Sequence, residues 1–447
     1  PVERASLDLE PLQRFHKLEN TEYYDQTIFG PESGRLEFEA TVSTSVDQIA
    51  IAPGYLQKEW TENDRRYFHY RMDAPIENYF SFMSGRYEAL KTMHRGVSIE
   101  IYYHKTHGMN VPRMQQAVAD SIDYFSENFG PYQHKQARII EFPGYRDFAQ
   151  SFPNTIAFSE RIGFITDLSD ESAIDQVYYV TAHEMAHQWW GGQVDGANVQ
   201  GSTVITETLA QYSALMLTCK KYGDKKLRSI LRFELDRYLR GRTQELVEEL
   251  PLMRVENQPY IHYRKGSIAV MSLIDLLGEE KMNRALADFL AEFRFSDNPY
   301  PTTIDLLAYI NREADEKEQE FIASIFSEIS LYDLKAKELT VAALDNDEYE
   351  VTFTVDARRF EANGSGMETE AGLSEMIDIG LFLDNPDELS GGEEASAESR
   401  LVYLQKHEIT GGENVIKVIV PEKPLYAGID PFIKLIDRDS ADNIIKL

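Results

Sequence analysis

His183 and His187 stand four residues apart in the run VTAHEMAHQWWGG, with Glu184 next to the first of them. On a helix this spacing puts both imidazoles on one face about a turn apart, where they can converge on one Zn²⁺, and it leaves Glu184 placed to hold a water. Glu207 follows in STVITETLAQYSALMLTCKKYG, one turn into a further helix and between apolar neighbours. Carboxylates are rarely buried without a partner, so a metal accounts for its position. Two His and one Glu leave a fourth position for water, as in catalytic rather than structural zinc sites. Taken singly, the same residues also fit a plainer reading: core-facing histidines on an aromatic helix, and a solvated carboxylate favoured by the helix dipole. In a zinc hydrolase the metal polarises the scissile carbonyl and lowers the pKa of a water from about 16 to about 7, while a carboxylate such as Glu184 carries the proton to the leaving group.

These residues need a helical scaffold, and the periodicity supplies one. The spacing predicts a helix over 170–192, with Ser169 or Asp170 as N-cap and Gly191-Gly192 as its stop, and a second from Ser202 to Gly223 with Leu209, Tyr212, Met216 and Cys219 as its buried stripe. Met114, Val118, Ile122 and Phe125 recur at helical spacing up to Gly130-Pro131, and the short strand ARIIEF follows. Between Arg35 and Tyr103 the pattern alternates, as it does again from Tyr349 through MIDIGLFL, RLVYLQKHEI and NVIKVIVP. The expected fold class is therefore a multidomain α+β protein: a partial N-terminal β domain (1–104), a mainly helical domain (105–337) and a C-terminal β-sandwich (338–447). The acidic Gly/Ser-rich stretch DNPDELSGGEEASAESR reads as a mobile loop between two strands of the sandwich.

HEMAHQWWGG, TETLAQY and HYRKGSIAVMSLIDLLG together resemble the gluzincin metallopeptidases of the aminopeptidase N and leukotriene hydrolase group, in their zinc helix, third-ligand helix and tyrosine segment. The resemblance implies a thermolysin-like catalytic domain in which His183, His187 and Glu207 bind zinc, Glu184 is the general base, and Tyr263 donates to the oxyanion, with Tyr260 as the alternative phenol. Three departures stand out. Nineteen residues separate His187 from Glu207 where the family has eighteen, and the loop VDGANVQG is expected to absorb the extra one. The family's Gly-x-Met-Glu-Asn strand, whose Glu grips a free α-amine, corresponds to AQSFPNTIAFSE, which puts Pro153 in place of that Glu and keeps only Asn154; Glu160 is then the nearest acid for the role. The sequence stops after the sandwich, without the helical lid of larger relatives, so the cleft is expected to be open. ANVQGST-x-x-x-ETLAQYSALM and DPF-x-KLIDR also resemble a peptidase-like domain that some bacteria fuse to an ABC transporter permease, which implies a piece excised from a membrane protein.

The expected activity is hydrolysis of peptide bonds with one Zn²⁺ per chain, because no other cluster in the sequence offers convergent ligands; His104 and His107 read as surface or packing residues, and His262 as a cleft-lining or solvent-facing one. The alternative is a silent peptide- or zinc-binding accessory of a transporter. Across 447 residues there are 45 Lys and Arg against 75 Asp and Glu, a net charge of −30, which argues against nucleic acid as partner. A single cysteine excludes a disulfide framework and a cysteine-cluster metal site, while leaving the redox compartment open. The opening PVERASLDLEPLQ has no apolar signal-peptide core, and no apolar run is long enough to span a membrane.

Overall fold

The computed structural model describes residues 4, 6–10, 13–32, 34–170, 173–296, 298–386 and 400–447. In the N-terminal region β1 (Glu39–Ser45), β2 (Tyr55–Glu62) and β3 (Arg65–Arg71) form an antiparallel sheet in the order β1-β3-β2. Its inner face carries a small core of Phe38, Ala50, Ala52, Phe68, Tyr70, Met72 and Ile76. The buried Arg138 guanidinium donates to the Ala52 carbonyl (2.9 Å) and ties this layer to the next sheet.

The middle region is built on a mixed sheet of β4 (Tyr87–His94), β5 (Val97–His104), β6 (Gln136–Phe142), β7 (Ala149–Phe152) and β8 (Thr155–Ser159), ordered β7-β8-β6-β5-β4. β4 and β5 come from the stretch read as N-terminal domain, yet their pairing places them in this sheet, which therefore extends back to Tyr87. β6 is parallel to both neighbours and buried along its whole length, as an apolar run in a central strand must be. Helix α1 (Val111–Asn128) lays Met114, Val118, Ile122 and Phe125 against one large core, as their spacing requires. The same core takes in α2 (Gln176–Ala186), α3 (Leu209–Tyr222), α4 (Asp224–Arg242), α5 (Gly266–Leu277) and α6 (Glu279–Phe293).

Helix α2 begins six residues later than Asp170. The Asp175 carboxylate caps it, accepting from the Tyr178 amide (2.9 Å), and is itself fixed by Arg113 and by the Tyr222 hydroxyl (2.5 Å) from distant elements. Regular helix ends at Ala186, ahead of the glycine pair. By contrast α3 stops at Gly223 as expected, where φ is +80° and a side chain would be strained.

After α7 (Thr303–Arg312) and α8 (Glu316–Ser327), the C-terminal strands form two four-stranded sheets. One holds β9 (Ser330–Ala343), β10 (Tyr349–Ala362), β11 (Glu368–Ala371) and β14 (Gly412–Val420). The other holds β12 (Ser374–Phe382), β13 (Leu401–Thr410), β15 (Tyr426–Ile429) and β16 (Ile444–Lys446), and residues of both sheets share one core. Most of the acidic loop, 387–399, lies outside the described residues. The segment after β15 docks on the helical region: Arg228 donates to the Pro431 carbonyl, Ser272 to the Lys434 carbonyl, and Lys434 pairs with Asp275 and with Asp378 (2.6 Å).

In that segment burial pushes the Asp437 carboxyl up to about 8, and one of its oxygens is buried without a hydrogen-bond partner. The fold thus holds the proton through a range in which an unfolded chain, with a pKa near 3.8, has released it. The residue's contribution to stability is therefore fully present at the acid end and is lost as pH rises from about 4 to about 8. Asp437→Asn should remove that loss, raising Tm at pH 8 by about 1 °C for each kcal/mol recovered and giving no comparable gain at pH 4, as read by thermal melts at the two pH values.

Candidate metal centre and cleft

His183 in α2 and His187, the residue that caps it, both point to the side that faces the turn carrying Glu207. Their Nε2 atoms are 3.1 Å apart, and Glu207 Oε2 lies 3.4 Å from the first and 3.2 Å from the second. Three ligands about 2.0–2.1 Å from a tetrahedral zinc would stand roughly 3.3–3.4 Å from one another. His187 Nδ1 lies 3.0 Å from the Trp190 carbonyl, which fixes a proton on that nitrogen and aims Nε2 at Glu207. Glu207 Oε2 is buried with no hydrogen-bond donor. An orphaned buried carboxylate oxygen aimed at two imidazole nitrogens fits Zn²⁺ in donor type, number and spacing.

Both turns that complete the centre are π turns. Glu207 sits in Val204–Thr208, ahead of α3, and Tyr263 in Tyr260–Lys265, ahead of α5. A π turn takes one residue more than an α turn. The two turns touch: the Thr208 hydroxyl donates to the His262 carbonyl (2.7 Å), and a Cβ on Gly266 would meet Thr208 Oγ1 at 2.8 Å. Only glycine allows that approach. It brings the Tyr263 ring to 5.8 Å from His183.

Burial works against charge on Glu207, yet His187 and His183 hold its carboxyl well below the usual range. Burial likewise opposes a charged His187, but the Glu207 carboxylate outweighs it and raises the imidazole to about 9; at His183 burial prevails and lowers the pKa. Glu184 is pushed up to about 7 by burial, which poises it to accept and release a proton near neutrality. Burial and then the Glu207 carboxylate drive the Tyr263 phenol far up, so it stays protonated and keeps a proton to donate.

The remaining expected residues lie elsewhere. The Tyr260 hydroxyl donates to Glu245 (2.9 Å) and its ring stacks on Tyr238, away from the histidines. Asn154 is buried in the β7–β8 turn at φ +52°, with its amide donating to Gln188 Oε1 (2.9 Å) and its side chain against Met72 and Thr155. Glu160 follows β8 at the end remote from Pro153 and accepts from the Gly144 amide (2.8 Å); the five extended residues of β8 carry it out of the cleft. His262 neither lines the cleft nor meets solvent. It is 1 % exposed, and burial lowers its pKa to about 4.

A cleft of about 870 Å³ opens beside His187 and Glu207, with Phe152 and Pro153 on one wall. Sequence reasoning missed its charged members. Arg35 donates to Glu77 (3.0 Å) and to the Gly192 carbonyl (2.9 Å), with its guanidinium 5.0 Å from the Phe295 ring centroid. Asp195 also lines the cleft and accepts from the Gly196 amide (2.7 Å). Burial raises Glu77 to about 8 and Asp195 to about 7. Isolated charges so far apart in sequence carry no spacing signal. Gln188 was missed too: its Nε2 donates to Ser151 Oγ (2.6 Å) and to the Phe152 carbonyl (2.9 Å), fastening β7 to the end of the histidine helix. A second convergent group, His107, Glu141 and Glu160, contradicts the expectation of a single ligand cluster.

Several known proteins are similar to this chain in sequence. The chain is 27 % identical over 193 residues to "Probable aminopeptidase 1" of Sulfurisphaera tokodaii, covering 39 % of this chain and 23 % of that protein. It is 25 % identical over 209 residues to human "Endoplasmic reticulum aminopeptidase 2", covering 45 % and 22 %, and 21 % identical over 300 residues to "Aminopeptidase M1" of Arabidopsis thaliana, covering 64 % and 33 %. The chain thus spans a third or less of these relatives' length. Residues 114–328, which contain His183, Glu184, His187, Glu207 and Tyr263, match the Peptidase family M1 domain.

Proposed function

We propose that this chain is a zinc metallopeptidase that hydrolyses peptide bonds, with one Zn²⁺ in the cleft held by His183, His187 and Glu207. The convergence of their three ligand atoms within 3.1–3.4 Å of one another carries the reading, and the M1 match supports it. Zn²⁺ held there supplies Lewis-acid polarisation of a carbonyl and acidifies a water. Glu184, buried and poised near neutrality, takes the water's proton and passes it to the leaving amine. Tyr263, kept protonated, donates to the oxygen on which charge develops. Arg35, Glu77 and Asp195 give the adjoining cleft its polar wall.

A second reading, a catalytically weak accessory of a membrane transporter, is favoured by one observation: Pro153 lines the cleft where the resemblance calls for an amine-binding Glu. Attachment to a permease rests on the sequence runs ANVQGST and DPFIKLIDR; no helix among the described residues is long and apolar enough to cross a membrane.

Three experiments test the proposal. His183→Ala should lose the cleft zinc in metal analysis after exhaustive dialysis, whereas Glu184→Gln should keep it and lose turnover by about 10²–10⁴-fold, since the amide fills the same space but cannot accept a proton. Tyr263→Phe should lower kcat by about 10²–10³-fold with KM little changed, because its hydrogen bond matters once charge has developed; steady-state kinetics separates the two terms. A charged grip on a free α-amine is worth about 1.5–3 kcal/mol, roughly 10- to 100-fold. With Pro153 in place of the acid, kcat/KM for a free and an N-acetylated version of one peptide should agree within about threefold. A strong preference for the free amine, abolished in Asp195→Asn, would transfer the grip to Asp195.

A further inference from the structure

β5, β6 and β8 run parallel, so their carboxyl ends share one edge of the sheet. Three chemically able side chains emerge there: His107 from the turn after β5, Glu141 at the end of β6, and Glu160 directly after β8. His107 Nδ1 lies 2.5 Å from Glu141 Oε1 and 3.8 Å from Glu160 Oε2, and the three ligand atoms all fall within 4.8 Å of one another. The cleft abuts the opposite end of β8 through Pro153, about five residues or roughly 17 Å away along an extended strand. This group is therefore separate from the histidine pair on α2.

Each carboxylate is aimed by the backbone. Glu141 Oε2 accepts from the His104 amide (2.5 Å) and Glu160 Oε1 from the Gly144 amide (2.8 Å), so each spends one oxygen on the main chain and turns the other toward His107. Such outer contacts orient ligands in metal sites. Glu141 is almost wholly buried, its side chain 5 % exposed, while those of His107 and Glu160 are 22 % and 27 % exposed, leaving one side open to water. The charges do not balance. Among the described residues the ion-pair partner of both carboxylates is His107, so even with a protonated ring one negative charge is left over beside a buried carboxylate. A bound dication would supply the missing charge and accept the neutral imidazole as donor.

We propose that His107 Nδ1, Glu141 Oε1 and Glu160 Oε2 bind a divalent transition-metal cation of the Zn²⁺ or Mn²⁺ type, with water completing its coordination from the open side. The ion pins together the ends of three strands of the sheet that carries the cleft wall. The site stands whether or not the cleft is catalytic.

Metal titration tests it, with Zn²⁺ and Mn²⁺ used separately. Wild-type protein equilibrated with micromolar Zn²⁺ should hold two equivalents, and Glu160→Gln, which keeps the bond to Gly144, should hold one. In a His183→Ala background, which removes the cleft site, calorimetry should detect one equivalent of metal whose binding raises Tm. Adding Glu160→Gln or His107→Ala should weaken that binding at least tenfold. Circular dichroism and the metal-free Tm of Glu160→Gln check that the fold is kept. No metal bound in the His183→Ala background up to millimolar concentration, or an affinity there unchanged by both substitutions, overturns the proposal.

Discussion

The Thr208 hydroxyl, bonded to the His262 carbonyl across the hydrogen-sized gap left by Gly266, sets the geometry of the centre. Glu207 precedes Thr208 and Tyr263 follows His262, so this one contact fixes a ligand and a phenol against each other before either meets the histidines. Each residue stands in a π turn, whose wider winding turns the side chain off the line an α helix would give it. The histidine helix then needs only the regularity of consecutive α turns, and it lies in the core with Trp189 and Trp190 fully buried beyond its end.

Concentrating Glu184, Glu207, His183 and His187 in one buried place is costly for folding, since each ionisable group loses water. Opposite effects on the pKa values show how the cost is distributed: His187 and Glu207 favour each other's charged forms, while Glu184 is left closer to neutrality. A dication would relieve the repulsion between the carboxylates and give the imidazole nitrogens a partner.

Local pattern was enough to single out the residues that converge beside the cleft. An i, i+4 pair on a helix and a carboxylate one turn into the next helix are statements about neighbouring residues, and His183, His187 and Glu207 meet as that reading expects. What escaped the sequence depended on partners far along the chain. The start of α2 was misplaced because several acids and serines can cap a helix, and Asp175 does so where Arg113 and Tyr222 already hold it. Glu160 is close to Pro153 in number but not in space, because an extended strand advances about 3.3 Å per residue. Arg35, Glu77 and Asp195 come together across three segments and leave no periodic trace. The same is true of His107 and Glu141, which parallel strand ends bring together although they stand 34 positions apart.

Gln188 gives the cleft a property that no single ligand provides. It directly follows His187, and its amide holds Ser151, Phe152 and Asn154 at once. The wall and the histidine helix are therefore fastened to each other through one side chain. Whatever lies against Phe152 and Pro153 is measured from the histidines by a fixed span of covalent bonds and three hydrogen bonds. Thermal drift of the outer layers then changes how readily a molecule enters, and leaves untouched the distance at which it comes to rest.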